Sequence, residues 1–339
     1  MAKSDAFQVG SNTSVIIGTE VTPGTPTSAS SGVTLEMPVT EYSFSDINKH
    51  SLSVAPFRSG LGGMTQSDDM VRWQEHDRMH EISLTFQCSD LAINRICLAL
   101  FGDGGDSDGD CALLGSMPTA VQSHVKHGVA NITPVTLWFE NAAHTGLATD
   151  LYFTSCMCTS FTISGDVGAN AGVVSGTATF VTGYKATEAA LEIQSTSATN
   201  TLLTAHTTLF NMHDMVSQSL NGQDLVLYSF DLTIARDVQR IGFDKDADMH
   251  PMGYSVGGYE VTGNLTAKRD DHTLSAIGRN SGMELNLDTT VFQILAPKLF
   301  VDDSAISFDA DGWKQNIPFR CTYDSAATSN AVVTISTAA

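Results

Sequence analysis

Leu151-Tyr152-Phe153-Thr154-Ser155-Cys156-Met157-Cys158-Thr159-Ser160-Phe161-Thr162-Ile163 decides the class of this chain. Leu151, Phe153, Met157, Phe161 and Ile163 are apolar at alternate positions, while Thr154, Ser160 and Thr162 face the other way. A period of two sends successive side chains to opposite faces of an extended backbone, so the stretch reads as a strand with one buried and one polar face. Similar alternation, or a short apolar run, recurs at 81–88, 173–181, 225–234, 260–267, 290–295, 317–323 and 331–335, separated by Gly, Asp, Asn and Ser. Short strands punctuated by turn residues predict a mainly β protein.

Two segments break the pattern. In 89–102 apolar residues recur at spacings of three and four, a Ser-Asp pair offers an N-cap, and Gly102 offers a stop. A weaker helical stretch runs over 270–278. Ser83-Leu84-Thr85 leads through Asp90 into the first, and Asn264-Leu265-Thr266 leads through Asp271 into the second, 181 residues later. Upstream, Tyr42-Ser43-Phe44-Ser45 matches Tyr228-Ser229-Phe230-Asp231, and each is followed by a polar strand and a long glycine-containing excursion. One β unit used twice is the reading, each copy built as strand, long loop, strand, short helix and further strands. The expected division is an N-terminal arm at 1–35, a first domain at 36–212 and a second at 213–339, with the Ser/Thr/Ala-rich run 195–201 near the join.

Composition narrows the function. Of 339 residues, 42% are apolar and 16% charged, too apolar for a disordered chain. The formal charge of −20 is spread over both halves, with 21 acids against 8 bases in residues 1–215 and 16 against 9 in the rest. Tight nucleic-acid binding rests on Lys and Arg that displace counterions, and adhesion to an anionic membrane needs the same residues, so neither is expected. No apolar core follows Met1, and no stretch approaches the roughly 18 apolar residues of a membrane span. A soluble protein without a secretory signal is the expectation. Six sparse cysteines follow no framework spacing and read as buried thiols of a reducing cytosol.

Gly18-Thr19-Glu20-Val21-Thr22-Pro23-Gly24-Thr25, followed by the duplicated order of elements, resembles the two-domain tail tube (major tail) proteins of long-tailed, siphovirus-type bacteriophages. Gly257-Gly258-Tyr259-Glu260-Val261-Thr262-Gly263-Asn264-Leu265-Thr266 is similar to that family's strand of the form x-E-V-T-G-x-L-T. The resemblance implies two tandem tube-type β-sandwich or barrel units, each with one short flanking helix. It implies a structural virion protein whose rings close edge to edge and stack into the tail tube, a conduit for DNA ejection. Trimeric, pseudo-hexameric rings are favoured over hexamers. Tape measure and tail terminator proteins are the implied partners, DNA passes without specific binding, and the subunit is made in the host cytoplasm. Ring closure also pairs strand edges that would otherwise aggregate.

Within that frame the two excursions are expected to order against neighbouring subunits, because loops of their length inside compact domains are usually functional. Their candidate contacts are Phe57, Arg58, Gly60, Gly62 and Gly63 in the first, and Phe243, Asp244, Lys245, Gly257 and Gly258 in the second.

Other constellations carry less. Asp103, Asp106, Asp108 and Asp110 crowd one loop, but aligned as an EF-hand from Asp106 the required Gly falls on Cys111 and the bidentate Glu on Met117. An irregular calcium site there supports the alternative of a calcium-dependent β-sandwich binding module. His76 and His80 stand four apart without the Glu of a metalloprotease helix, and His124 and His127 stand three apart in a loop. Cys156 and Cys158 lie within a strand rather than in a redox turn. No nucleophile elbow and no phosphate-binding glycine loop occurs, so neither an enzyme nor a bound cofactor is expected.

Overall fold

The computed structural model describes residues 13–20, 24–26, 34–44, 50–54, 71–75, 79–102, 110–114, 134–141, 150–184, 186–189, 200–201, 206–242, 251, 253–271, 273, 277, 282–289, 291–309, 312–324 and 331–337. In the first part of the chain run β1 (Thr13–Thr19), β2 (Thr34–Glu36), β3 (Val39–Phe44), β4 (His50–Val54), β5 (Val71–Glu75), β6 (His80–Gln87), helix α1 (Asp90–Phe101), β7 (Asp110–Leu114), β8 (Val135–Asn141), β9 (Asp150–Asp166), β10 (Ser175–Thr182), β11 (Thr187–Ala189) and β12 (Asn200–Thr201). Then follow β13 (Met215–Leu220), β14 (Gln223–Asp224), β15 (Leu227–Ile241), β16 (Gly253–Lys268), β17 (Met283–Thr289), β18 (Gln293–Val301), β19 (Ala305–Asp309), β20 (Gly312–Cys321) and β21 (Ala331–Ser336). The protein is mainly β, as the alternation predicts.

The expected helix at 89–102 forms, and its ends follow from its sequence. Ser89 Oγ accepts from the Ala92 N–H at 3.3 Å, and Gly102 adopts the left-handed conformation with its N–H on the Leu98 carbonyl. At the second expected helix, Asp271 and Thr273 are helical, and Asp270 Oδ1 accepts from the Thr273 N–H at 3.0 Å. Asp270 therefore caps as Ser89 does.

An antiparallel sheet of eight strands runs in the order β3-β6-β10-β9-β15-β16-β20-β19. Against the first half of it packs a smaller sheet, β12-β2-β1-β8-β9-β11, with only the β12–β2 pair parallel. The second half continues through β18 into β14-β13-β17-β18-β21-β7. Strand β9 serves two sheets: its start pairs with β8 and β11, its end with β10 and β15. It changes sheet beside Ser155, which sits at φ 51, a conformation costly for a residue with a Cβ.

The pairing pattern recurs along the chain. Strands β1, β8, β9 and β11 pair in sequence, as do β13, β17, β18 and β21; β3, β6 and β10 pair as do β15, β16 and β20. Strand β9 spans 150–166, and β18 with β19 spans 293–309. Leu84 faces Tyr42, and Leu265, its counterpart 181 residues later, faces Phe230. The pairings thus equate Tyr42 with Phe230, two residues away from the Tyr-Ser-Phe match seen in sequence. Bulges fix the correspondence, one between Val39 and Glu41 and the other between Leu227 and Ser229.

Aromatic side chains fill the space between sheets. Tyr42 and Phe44 on β3 lie 5.2 and 5.4 Å from the Phe139 ring on β8, and Phe86 stacks on Phe161 at 6.1 Å. Gly176 is required beneath that stack: a Cβ there would approach the Phe86 ring to 2.7 Å.

Candidate functional site

The β9–β15 junction joins the two halves of the eight-stranded sheet. Seven consecutive pairs hold it, from Ser229 opposite Asp166 to Ala235 opposite Ser160. Its core face is dry: Ile163 opposes Leu232 and Phe161 opposes Ile234, all buried. Arg236 occupies the next core-facing position and is itself buried. Its guanidinium donates to the Cys158 carbonyl at 2.8 Å, to the Ala99 carbonyl at 3.3 Å and to Tyr259 Oη at 3.0 Å, while Tyr259 donates to the Leu100 carbonyl at 2.7 Å. Ala99 and Leu100 are in the last turn of α1, and that turn has no basic residue of its own. Arg236 thus supplies a cation to the negative end of that helix and satisfies terminal carbonyls. The core phase of Leu232, Ile234 and Arg236 places a charge where an apolar residue is expected, and that was the legible signal for this residue.

The opposite face of the sheet carries hydroxyls. Register places Glu41, Thr85, Thr177, Thr162, Thr233, Thr262 and Arg320 in one row across seven strands. Thr162 and Thr233 hydrogen-bond across the junction at 2.8 Å, and Thr85 and Thr177 at 3.3 Å. The next row is Gln87, Ser175, Ser164, Asp231, Asn264 and Pro318. Burial pushes the Asp231 carboxyl upward against backbone hydrogen bonds that favour its charged form. Arg320 and Glu260 form an exposed ion pair at 3.2 Å, worth little in water.

Among the described residues the sheet ends open on both sides. Strand β3 pairs only with β6, and β19 only with β20. Exposed apolar side chains gather at the β19 end: Ile306, Phe308 and Trp313, the last two with ring centroids 5.3 Å apart. At the other end Phe44 is exposed on β3.

Glu20 anchors the segment after β1. Its Oε1 accepts from Thr136 Oγ1 and the Ser155 N–H, both at 2.6 Å, and its Oε2 accepts from the Gly24 N–H at 2.9 Å. The bond to Ser155 offsets the strain at that residue. Burial raises the Glu20 carboxyl above its ordinary range, opposed by those three bonds. A carboxylate raised on folding binds protons more tightly in the native state, so its contribution is greatest at acid pH and is lost as pH rises from the unfolded value of 4.5 through the native one. Glu20→Gln is expected to remove that dependence. As pH rises above the unfolded value of 4.5 the thermal midpoint of the wild-type chain should fall relative to that of the variant, so that the two curves separate toward neutrality; parallel curves would contradict this.

The sequence-predicted residues fall as follows. Phe57, Arg58, Gly60, Gly62 and Gly63 lie outside the described residues, as do Phe243, Asp244 and Lys245. The flanks of both excursions are described. His50–Val54 pairs with Val71–Glu75 as a two-stranded ribbon of its own, and Val238–Ile241 pairs with 253–256. The second excursion is therefore shorter than its glycines suggested. Gly257 and Gly258 lie inside β16 at a bulge opposite Asp237, where two residues face one.

Asp103, Asp106 and Asp108 also lie outside the described residues, and Asp110 opens β7 opposite Ser336. Among the described residues no group of His, Cys, Asp or Glu could hold a metal ion, and no helix is long and apolar enough to cross a membrane. His80 is buried beside Phe153 at the start of β6. His76, His124 and His127 lie outside the described residues. Cys156 and Cys158 are buried free thiols; desolvation pushes Cys158 up to about 12, which suppresses its thiolate.

No curated protein matches the chain. A family model described as phage tail tube protein matches residues 10–321.

Proposed function

Because the chain belongs to the phage tail tube protein family, we propose that it is the repeating subunit of the tube, closing into rings that stack into a channel for DNA. The observation that carries this reading is the eight-stranded sheet with one apolar face, one hydroxyl-lined face and two open edges. A subunit whose two edges differ makes head-to-tail contacts, and such contacts form rings where the rotation between subunits closes. Each chain brings the pairing pattern twice, the first copy beginning at β1 (Thr13–Thr19) within the stretch expected to be an arm and the second at β13, so three chains supply six units. That favours a trimer with pseudo-sixfold symmetry over a hexamer.

The hydroxyl face suits the lumen. Rows of Ser and Thr offer a DNA duplex weak, exchangeable contacts, and the chain's net charge of −20 opposes the phosphate binding that would hold DNA in place. In this reading the tube is part of the virion tail, assembled in the host cytoplasm around a tape measure protein and ended by a terminator.

In this reading the two excursions, 57–80 and 243–257, order against neighbouring subunits. Deleting Gly60–Gly63 is expected to leave a folded monomer that no longer sediments as tubes. Unaltered tubes would remove these residues from the interface.

A further inference from the structure

We propose that the contact between subunits is a copy of the internal β9–β15 junction, in a register that the structure specifies: β19 of one subunit beside β3 of the next, with Phe308 opposite Tyr42, Ser307 opposite Ser43 and Ile306 opposite Phe44. This rests on the tube reading, and names the partner as a second copy of the chain and its contacts residue by residue.

The register comes from two correspondences. The 150–166 span of β9 matches 293–309, so Ile163 corresponds to Ile306, Ser164 to Ser307 and Gly165 to Phe308. Neighbouring strands agree: Gly176 faces Ile163 and Phe86, while Gln315 faces Ile306 and Ala267, and Phe86 and Ala267 are again 181 apart. On the other side the bulges equate Tyr42, Ser43 and Phe44 with Phe230, Asp231 and Leu232. Inside the chain, Phe230 faces Gly165, Asp231 faces Ser164 and Leu232 faces Ile163. Transferring those three pairs gives the three proposed ones.

Exposure supports the transfer independently. Ile163 and Leu232, which pair across the internal junction, are 0% and 2% exposed. Their counterparts at the open edges, Ile306 and Phe44, are 49% and 37% exposed, and Phe308 is 69% exposed. The apolar face of the sheet is finished at one junction and unfinished at the other. The two ends are also not interchangeable. A Cβ at Gly165 would approach Met212 Sδ and Phe230 Cε1 to 2.6 Å, so the internal site excludes the large side chain that Phe308 presents at the open edge. That keeps the order of units fixed around the ring.

Cysteine pairs read the register directly. Directly opposed residues bring Cβ atoms to about 4.5–5.5 Å, and a disulfide needs Cα atoms within about 6.8 Å. Ser43 and Ser307 are exposed on the hydroxyl face, so S43C/S307C leaves the core untouched. S43C/A305C shifts the pairing by two residues. After oxidation and unfolding without reductant, S43C/S307C is expected to run as covalent rings in at least tenfold excess over S43C/A305C, and each single variant as monomer. Rings in the microscope with preferential linkage of S43C/A305C would overturn the register and leave the tube reading standing. Absence of rings together with absence of linkage would overturn both.

Discussion

Replacing Arg236 with Met is expected to destabilise the subunit by about 3 kcal/mol and lower its thermal midpoint by about 4 °C. The Cys158 and Ala99 carbonyls and Tyr259 Oη each lose a charged donor in a dry environment, and an orphaned buried group costs about 1–3 kcal/mol. The end of α1 loses its compensating cation as well. Among the described residues no carboxylate pairs with Arg236, so the substitution leaves no buried anion behind, and Met recovers part of the loss by filling the space. Arg236→Lys restores the charge but not the three-way fork, and should regain less than half of the stability. The comparison belongs in a variant that does not assemble, since subunit association would raise every midpoint. A change under about 2 °C would show that the helix end is satisfied without this residue.

Strands with one wet face were legible, and those with two dry faces were not. Strand β6 alternates from Glu81 to Gln87 as its sequence does. Strand β8 is buried from Val135 to Glu140, including Thr136 and Glu140, so its burial does not follow the polarity of its side chains. Helix α1 was readable to the residue because both of its caps are local chemistry. Strand β17 was missed although Met283, Leu285 and Leu287 do alternate; its pattern is short and lies among other polar residues. Strand β9 announced itself as a strand but not as one that changes sheet, since the left-handed Ser155 depends on Glu20, 135 residues away.

The candidate site divided along the same line. The order of elements suggested a repeat, and strand pairings do recur along the chain, but the Tyr-Ser-Phe match placed the correspondence two residues out of step. The edges were not legible, because an edge strand is defined by what fails to pair with it, and that is a property of the whole topology. Ile306, Phe308 and Trp313 are exposed at that edge, and among the described residues no strand pairs with β19 beyond β20.

Charges placed at that edge are expected to abolish assembly without unfolding the subunit. In I306D/F308D two side chains that already face water become carboxylates, which costs the monomer little, whereas an unpaired charge buried in a junction costs several kcal/mol. With one such junction per subunit, the loss recurs around the whole ring. The variant should keep the β-sheet circular dichroism of the wild-type chain while losing its assemblies.

End-on views of the wild-type protein in negative-stain electron microscopy, rotationally averaged over a concentration series with I306D/F308D beside it, test the central claim most directly. Closed hollow rings with three-fold symmetry for the wild-type chain, and dispersed particles for the variant, are the predicted result. Dispersed wild-type particles at every concentration, or rings that the two charges leave intact, would contradict it.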